Sequence, residues 1–217
     1  MIKAVVFDFD GVITESADIK TQAFAKLFQY EAQSAVGKIV KYHLRHAGVS
    51  RFDKFAYIYK YILHRKLTEA EFKKLCKQFS RLVMNEVIDA PFVKGAQEFL
   101  NRYNKQYKFF VISATPHSEI KSIIKKRGIA RYFKAVYGAP NKKADLVRRI
   151  IRDNDLACRE LFYIGDALSD FEAAEANSIE FVARINKNVH LFKGKNIRFK
   201  IKDLKKLKSI INNLENI

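Results

Sequence analysis

Three apolar runs in this chain stop abruptly at a polar residue. Ala4-Val5-Val6-Phe7 precedes Asp8, Phe109-Phe110-Val111-Ile112 precedes Ser113, and Leu161-Phe162-Tyr163-Ile164 precedes Gly165-Asp166. The runs are almost continuous rather than alternating, which is the pattern of strands buried on both faces of a parallel sheet. Two more, around Ala135-Val136-Tyr137 and Glu180-Phe181-Val182-Ala183, complete a set of five. Helical patterns over Ser118 to Arg127, Lys143 to Arg152 and Phe171 to Ala176 separate the last four. Strand–helix alternation of this kind predicts an α/β fold with a doubly wound parallel sheet.

The first and second strands are separated by a much longer segment, roughly Ser16 to Asp89, without a comparable strand signal. Its apolar residues recur at helical spacing: Ala23, Phe24, Leu27 and Phe28; Phe55, Ile58, Tyr59 and Ile62; Phe72, Leu75, Phe79 and Leu82. Thr68 followed by Glu71 has the form of a capping box. A βα connection needs nothing this long. The expected organisation is therefore a core of residues 1–15 and 90–217 with a helical domain, 16–89, inserted into it. Thr14-Glu15-Ser16 and Asp89-Ala90-Pro91 mark the entry and exit.

The 217 residues carry 41 Lys+Arg against 23 Asp+Glu, a formal charge of +18, which at first suggests a nucleic-acid partner. The distribution argues against it. Residues 16–90 hold 14 basic and 7 acidic residues, 91–186 hold 17 and 11, and 187–217 hold 9 and 2. In that last segment Leu204, Leu207, Ile210, Ile211 and Leu214 keep helical spacing, so its lysines read as the solvated face of an amphipathic helix. No zinc-finger spacing or RNA-binding signature appears. No apolar stretch approaches the roughly 18 residues of a membrane span, and no secretory leader pattern opens the chain. Two cysteines, Cys76 and Cys158, give no disulfide framework. The expectation is a soluble cytoplasmic protein with neither membrane nor nucleic acid as partner.

Residues 1–15 reverse the overall sign, with one basic and three acidic residues. Asp8 and Asp10, two apart on extended chain, project to one side, and Gly11 allows a sharp turn after them. Asp166 and Asp170 follow another strand, and ligands of open α/β sheets bind at the carboxyl ends of strands. A single Asp after a strand, Asp170 for instance, reads equally as a helix cap. Four acids at two strand ends instead imply a cation, because clustered carboxylates repel one another without one. Oxygen-only ligands point to Mg²⁺ rather than zinc.

Taken in order, these motifs resemble the haloacid dehalogenase superfamily, in its phosphatase branch with a helical cap, the phosphoglycolate phosphatase and β-phosphoglucomutase-like members. Asp8-Phe9-Asp10-Gly11-Val12 matches the opening DxDG[T/V] signature, and Ser113 matches the Ser/Thr motif. Gly138-Ala139-Pro140-Asn141-Lys142-Lys143 matches the lysine motif with Lys143 three after Pro, and Gly165 to Asp170 matches GDxxxD. The resemblance implies a Rossmann-like core and phosphate-ester chemistry. Asp8 would be the nucleophile that becomes an aspartyl-phosphate. Asp10 would be the general acid and base. Asp8, the Asp10 carbonyl, Asp166 and Asp170 would hold or orient Mg²⁺. Ser113, the Ala114 N–H and Lys143 would bind the phosphoryl oxygens.

The expected activity is hydrolysis of a small phosphorylated metabolite: phosphoglycolate, a sugar phosphate or a nucleotide. A phosphosugar mutase is the alternative. Mutases of the β-phosphoglucomutase type usually carry Glu-Asp-Ser where this chain reads Gly165-Asp166-Ala167. A non-catalytic nucleic-acid-associated protein stands lower still. In the insert, Arg51 and Lys54, beside the Gly48 turn, are the cations placed to meet the substrate's distal part. His43 and His46 read as packing or surface residues, and Tyr57 or Tyr61 as cleft linings.

Overall fold

The computed structural model describes residues 1–186 and 191–215; residues 187–190 and 216–217, which belong to the C-terminal basic segment counted above, lie outside it. Six strands form one sheet: β1 (Ala4–Phe7), β2 (Lys108–Pro116), β3 (Phe133–Ala139), β4 (Leu161–Gly165), β5 (Glu180–Arg184) and β6 (Phe199–Ile201). They pair in parallel in the order β3-β2-β1-β4-β5-β6. The first five are the expected runs. Strand β6 has only three residues, Phe199-Lys200-Ile201, too few to leave a readable pattern.

Phe7 is level with Val111 of β2 and Ile164 of β4, so β1 and β4 end within a residue of each other while β2 runs on to Pro116. The chain leaves β1 toward one edge of the sheet and later returns to build the other. The crevice at such a reversal is where α/β sheets bind ligands.

Alternate residues of the central strands face opposite layers. Val6, Phe110, Ile112 and Tyr163 pack with Leu146, Val147 and Ile150 of α7 (Lys143–Asp153) and with Phe171 and Ala174 of α8 (Leu168–Glu175). On the other face, Phe7 meets Phe99 and Phe109 edge-on, with ring centroids 6.3 and 5.3 Å apart. That layer is completed by α5 (Ala96–Tyr103), α6 (His117–Lys126) and α9 (Leu207–Glu215). Helix α9 is the expected amphipathic helix and buries Leu207, Ile210 and Ile211.

Between β1 and β2 lie α1 (Ala17–Leu27), α2 (Gln33–Arg45), α3 (Arg51–Tyr57, continuing as a π-helical turn over Ile58–Ile62) and α4 (Glu69–Asp89). The apolar spacing anticipates α1, α3 and α4. Helix α2 escapes it because only Ile39 and His43 are buried there. Helix α4 begins with the expected capping box: the Glu71 N–H donates to Thr68 Oγ1 (3.3 Å) and the Thr68 N–H to Glu71 Oε2 (3.0 Å). Phe24, Phe55 and Phe79 form the aromatic centre of this insert, with centroids 4.8–6.0 Å apart.

Entry and exit run side by side: Glu15 N–H donates to the Pro91 carbonyl (2.9 Å) and Val93 N–H to that of Ile13 (3.0 Å). Arg51 adds a tie at the far side, donating to both Glu119 oxygens on α6 (3.1 and 2.7 Å) and to Ser80 Oγ on α4 (2.8 Å). Among the described residues, no helix is long and apolar enough to cross a membrane.

Candidate active site

Asp8 continues the sheet ladder for one residue, its N–H donating to the Ile164 carbonyl at 2.9 Å. The chain then turns through Gly11, which holds φ +80°. A Cβ at Gly11 would sit 2.1 Å from Asp166 Oδ2, so only glycine lets the loop after β1 approach the acid after β4. Arg184, at the end of β5, braces the same loop by donating to the Gly11 carbonyl (3.0 Å) and to both Glu15 oxygens (3.1 and 2.6 Å).

These turns bring Asp8, Asp166 and Asp170 together, with a ligand oxygen of each within 4.8 Å of the others and all three residues buried. Lys143, the first residue of α7, donates through Nζ to Asp8 Oδ1 (2.8 Å) and Asp170 Oδ1 (2.6 Å). Tyr163 Oη donates to Asp170 Oδ1 (2.9 Å) and the Ala167 N–H to Asp170 Oδ2 (3.1 Å). Asp170, the third residue of α8, thus accepts the N–H of the capping residue Ala167 and is also a member of the cluster. Asn186 Nδ2 donates to Asp166 Oδ2 at 2.9 Å. Lys143, not the exposed Lys142, reaches the acids.

Burial pushes the Asp8 carboxyl up to about 7; Lys143 opposes this, while Asp170 and Asp10 add repulsion. Burial and the charges of Asp8 and Asp170 push Asp166 well above the carboxylate range. Burial disfavours the Lys143 ammonium, yet Asp170 and Asp8 hold it above the ordinary lysine value. One lysine against three acids leaves an excess of negative charge. An oxygen-only donor set of this kind fits a hard divalent cation.

Asp10 lines the same cavity as Asp8 but is bonded to a different set of partners. Ser16 Oγ donates to its Oδ1 (2.7 Å), while Lys20 Nζ and Thr115 Oγ1 donate to its Oδ2, Thr115 at 3.3 Å. Burial alone would raise this carboxyl, but the Lys20 charge and the hydrogen bonds from Lys20, Ser16 and Thr115 hold it below its ordinary value. Its carboxylate is not one of the three in the cluster.

Two cavities meet at these groups. One of about 520 Å³ is lined by Asp8, Asp10, Asp166 and Lys20 and, from the insert, by His43, Leu44 and Ala47. The other, about 400 Å³, is lined by Ser113, Lys143 and Ser169 and by Val49 and Ser50. Ala114 and Gly48 line both. Ser113 Oγ accepts the Thr115 N–H at 3.1 Å.

Arg51 and Lys54 line neither cavity, contrary to the expectation that they would contact substrate. The sequence suggests exposed cations at a turn, yet they are only 5% and 1% exposed. Arg51 is held by Glu119 and Ser80, and Lys54 Nζ donates to His43 Nδ1 (2.9 Å) and the Ala47 carbonyl (3.2 Å). His43, expected as a packing or surface residue, is buried and lines the larger of these two cavities. Tyr57 stacks on Tyr42 with centroids 4.0 Å apart, and both Tyr57 and Tyr61 are exposed away from the cavities.

Sequence reasoning passed over Lys20, Thr115, Tyr163 and Asn186. Two of them left a trace: Thr115 is two residues after Ser113 on a strand, and Lys20 is one helical turn after Ser16. Tyr163 lies within an apolar run, and Asn186 follows one.

Residues 5–184 match the family model of haloacid dehalogenase-like hydrolases. Among solved structures, β-phosphoglucomutase from Clostridium difficile is similar over 100% of this chain and 98% of its own, with a TM-score of 0.78 at 19% identity. CbbY from Rhodobacter sphaeroides, solved with xylulose-(1,5)-bisphosphate, gives 0.76 at 14% identity over 95% and 96%. A predicted phosphoglycolate phosphatase from Haemophilus somnus gives 0.75 at 16% over 97% and 98%. At these identities the likeness is one of fold. The family match spans most of the chain and includes both strand ends that carry the acids. This chain belongs to the haloacid dehalogenase-like hydrolase family.

Proposed function

We propose that the chain is a magnesium-dependent phosphomonoester hydrolase acting on a small phosphorylated metabolite through an aspartyl-phosphate on Asp8. Residues 1–15 and 90–217 act in this reading as the catalytic core, and 16–89 as a cap over the cavity. The observation that carries the proposal is the state of Asp8: buried at a strand end, facing a cavity, one oxygen tied to Lys143 and two further acids beside it.

The Asp8 oxygen not held by Lys143 attacks phosphorus, and the bond from phosphorus to the ester oxygen breaks. Asp10, which its bonds to Lys20, Ser16 and Thr115 favour as the carboxylate, first takes up a proton from solvent and then gives it to that leaving oxygen. Asp10 then takes a proton from water, which attacks phosphorus. The bond to Asp8 breaks, releasing inorganic phosphate and restoring the carboxylate. Mg²⁺ held by Asp8, the Asp10 carbonyl and Asp166, with Asp170 orienting, would offset the charge on the phosphoryl oxygens. Lys143, the Ser113 hydroxyl and the Ala114 N–H stand around the same group.

Phosphoglycolate, sugar phosphates and nucleotides are the classes to assay, with and without EDTA. The expected result is Mg²⁺-dependent phosphate release that Asp8→Asn lowers by at least about 10³-fold with the fold retained. Full activity in that variant, or turnover unaffected by EDTA, would overturn the proposal. Isomerisation of a sugar phosphate with little phosphate release would assign the chain to the mutase class instead.

A further inference from the structure

We infer that Lys20, on the first helix of the insert, is the positioning residue for Asp10, so that the acid/base group is set in place only when the insert is seated on the core. Lys20 Nζ bridges Asp10 Oδ2 and Thr115 Oγ1, the latter at 2.7 Å, and its side chain is 16% exposed against 11% for Asp10. Ser16, the residue just before that helix, holds the other oxygen, Oδ1, and is itself bonded to Thr14 Oγ1 at 2.8 Å. Both oxygens of Asp10 are therefore fixed from one end of α1.

That arrangement differs from the role of Lys143, which compensates the three-acid cluster; Lys20 hydrogen-bonds none of its members. Asp10 stands on a turn just before Gly11, with two side-chain torsions to be fixed. A general acid must stand within about 2.6–3.2 Å of the oxygen it protonates, and a misplacement of about 1 Å can cost 10²-fold. Helix α1 packs against α2 and α4, so it moves with the insert. Thr115, at the end of β2, is the fixed point on the core. The Asp10–Lys20–Thr115 triangle thus joins the insert's seating to the orientation of the acid.

The inference rests on the hydrolase reading above, and the test separates the two. Wild type, Lys20→Met and Lys20→Gln are compared in single-turnover cleavage of p-nitrophenyl phosphate, whose leaving group needs no proton, and of an alkyl phosphate, whose leaving group does. Lys20→Met should slow alkyl ester cleavage by about 10²-fold and p-nitrophenolate release by less than about threefold. KM for the alkyl ester should stay unchanged. Lys20→Gln, which keeps a donor without the charge, should fall between. In an Asp10→Asn background, Lys20→Met should add no further loss on the alkyl ester.

Equal losses on both esters, or a rise in KM alone, would overturn the positioning role; the KM result would make Lys20 a substrate-binding residue. A wild-type protein that cleaves neither ester sinks the hydrolase reading instead. Thermal melts confirm that each variant is folded before it is scored.

Discussion

At the strand ends three buried carboxylates share a single lysine; inside the helical insert a buried lysine has neutral partners, the Nδ1 of His43 and the carbonyl of Ala47. Burial, reinforced by the charges of Lys20 and Lys143, pushes the Lys54 ammonium well below its ordinary value. Burial, with Lys54 and Lys20, takes the His43 imidazole down to about 2. Burial thus disfavours the charged form of both groups of this pair, and their hydrogen-bond partners carry no opposite charge to restore it. The strand-end cluster keeps Lys143 charged and two acids displaced upward, an imbalance that a divalent cation corrects. Similar burial thus has opposite settings: like charges pinned together at the strand ends, and a lysine among neutral partners in the insert.

Lys143→Ala breaks this comparison most severely. It leaves Asp8 and Asp170 facing each other without a cation, and losing one partner of a buried pair costs about 3–5 kcal/mol. Turnover should fall by about 10²–10³-fold, while Lys142→Ala stays within about twofold. Added Mg²⁺ should recover much of the lost melting temperature in Lys143→Ala, because the ion replaces the missing charge. A metal-free variant as stable as wild type would show that Lys143 does not compensate the acids.

Gly48 sharpens the comparison, because it belongs to the insert and touches the strand-end site. A Cβ there would lie 2.0 Å from Ser169 Oγ, 2.8 Å from Ala167 Cβ and 3.4 Å from Lys143 Nζ. Ser169 Oγ can rotate away, but Ala167 Cβ cannot. Gly48→Ala should therefore hold the insert off the site, lowering kcat about tenfold with a melting temperature close to wild type. Unchanged kcat would mean that this contact is not made during turnover.

The two regions were unequally legible in the sequence. Asp8, Asp10, Asp166 and Asp170 stand where apolar runs stop, and a parallel sheet sends such endpoints to one edge, so the pattern brings all four to one end of the sheet. It does not show that only Asp8, Asp166 and Asp170 cluster while Asp10 bonds to Lys20, Ser16 and Thr115. Lys143 was distinguished from Lys142 only by resemblance to the family's lysine motif, in which the lysine stands three after the proline. Apolar periodicity located the helices that bury leucine and phenylalanine, but α2 buries only Ile39 and His43 and so left no stripe. Arg51 and Lys54 are covered by tertiary partners: Glu119 is 68 residues from Arg51 in sequence, and no local pattern reports a contact at that range. Lys20 was one cation among 41 Lys and Arg until the fold set it against Asp10.

The smallest expected effect lies in the insert pair and concerns pH. Lys54 titrates near 10.5 in the unfolded chain and lower in the folded one, so between those values the unfolded state binds more protons and stability rises with pH. His43 acts in the same direction between about 2 and 6.5. Lys54→Met removes the amine and its slope, while His43 Nδ1 loses its donor at a cost of about 1 kcal/mol. Near pH 7 these changes oppose each other, so the variant should melt close to wild type. From pH 7.5 to 9.5 the wild-type melting temperature should climb relative to that of the variant. Below 6.5 both should lose stability together, since His43 remains. Parallel curves across the alkaline range would mean that Lys54 keeps its proton in the fold, and the insert would then hold an uncompensated charge of its own.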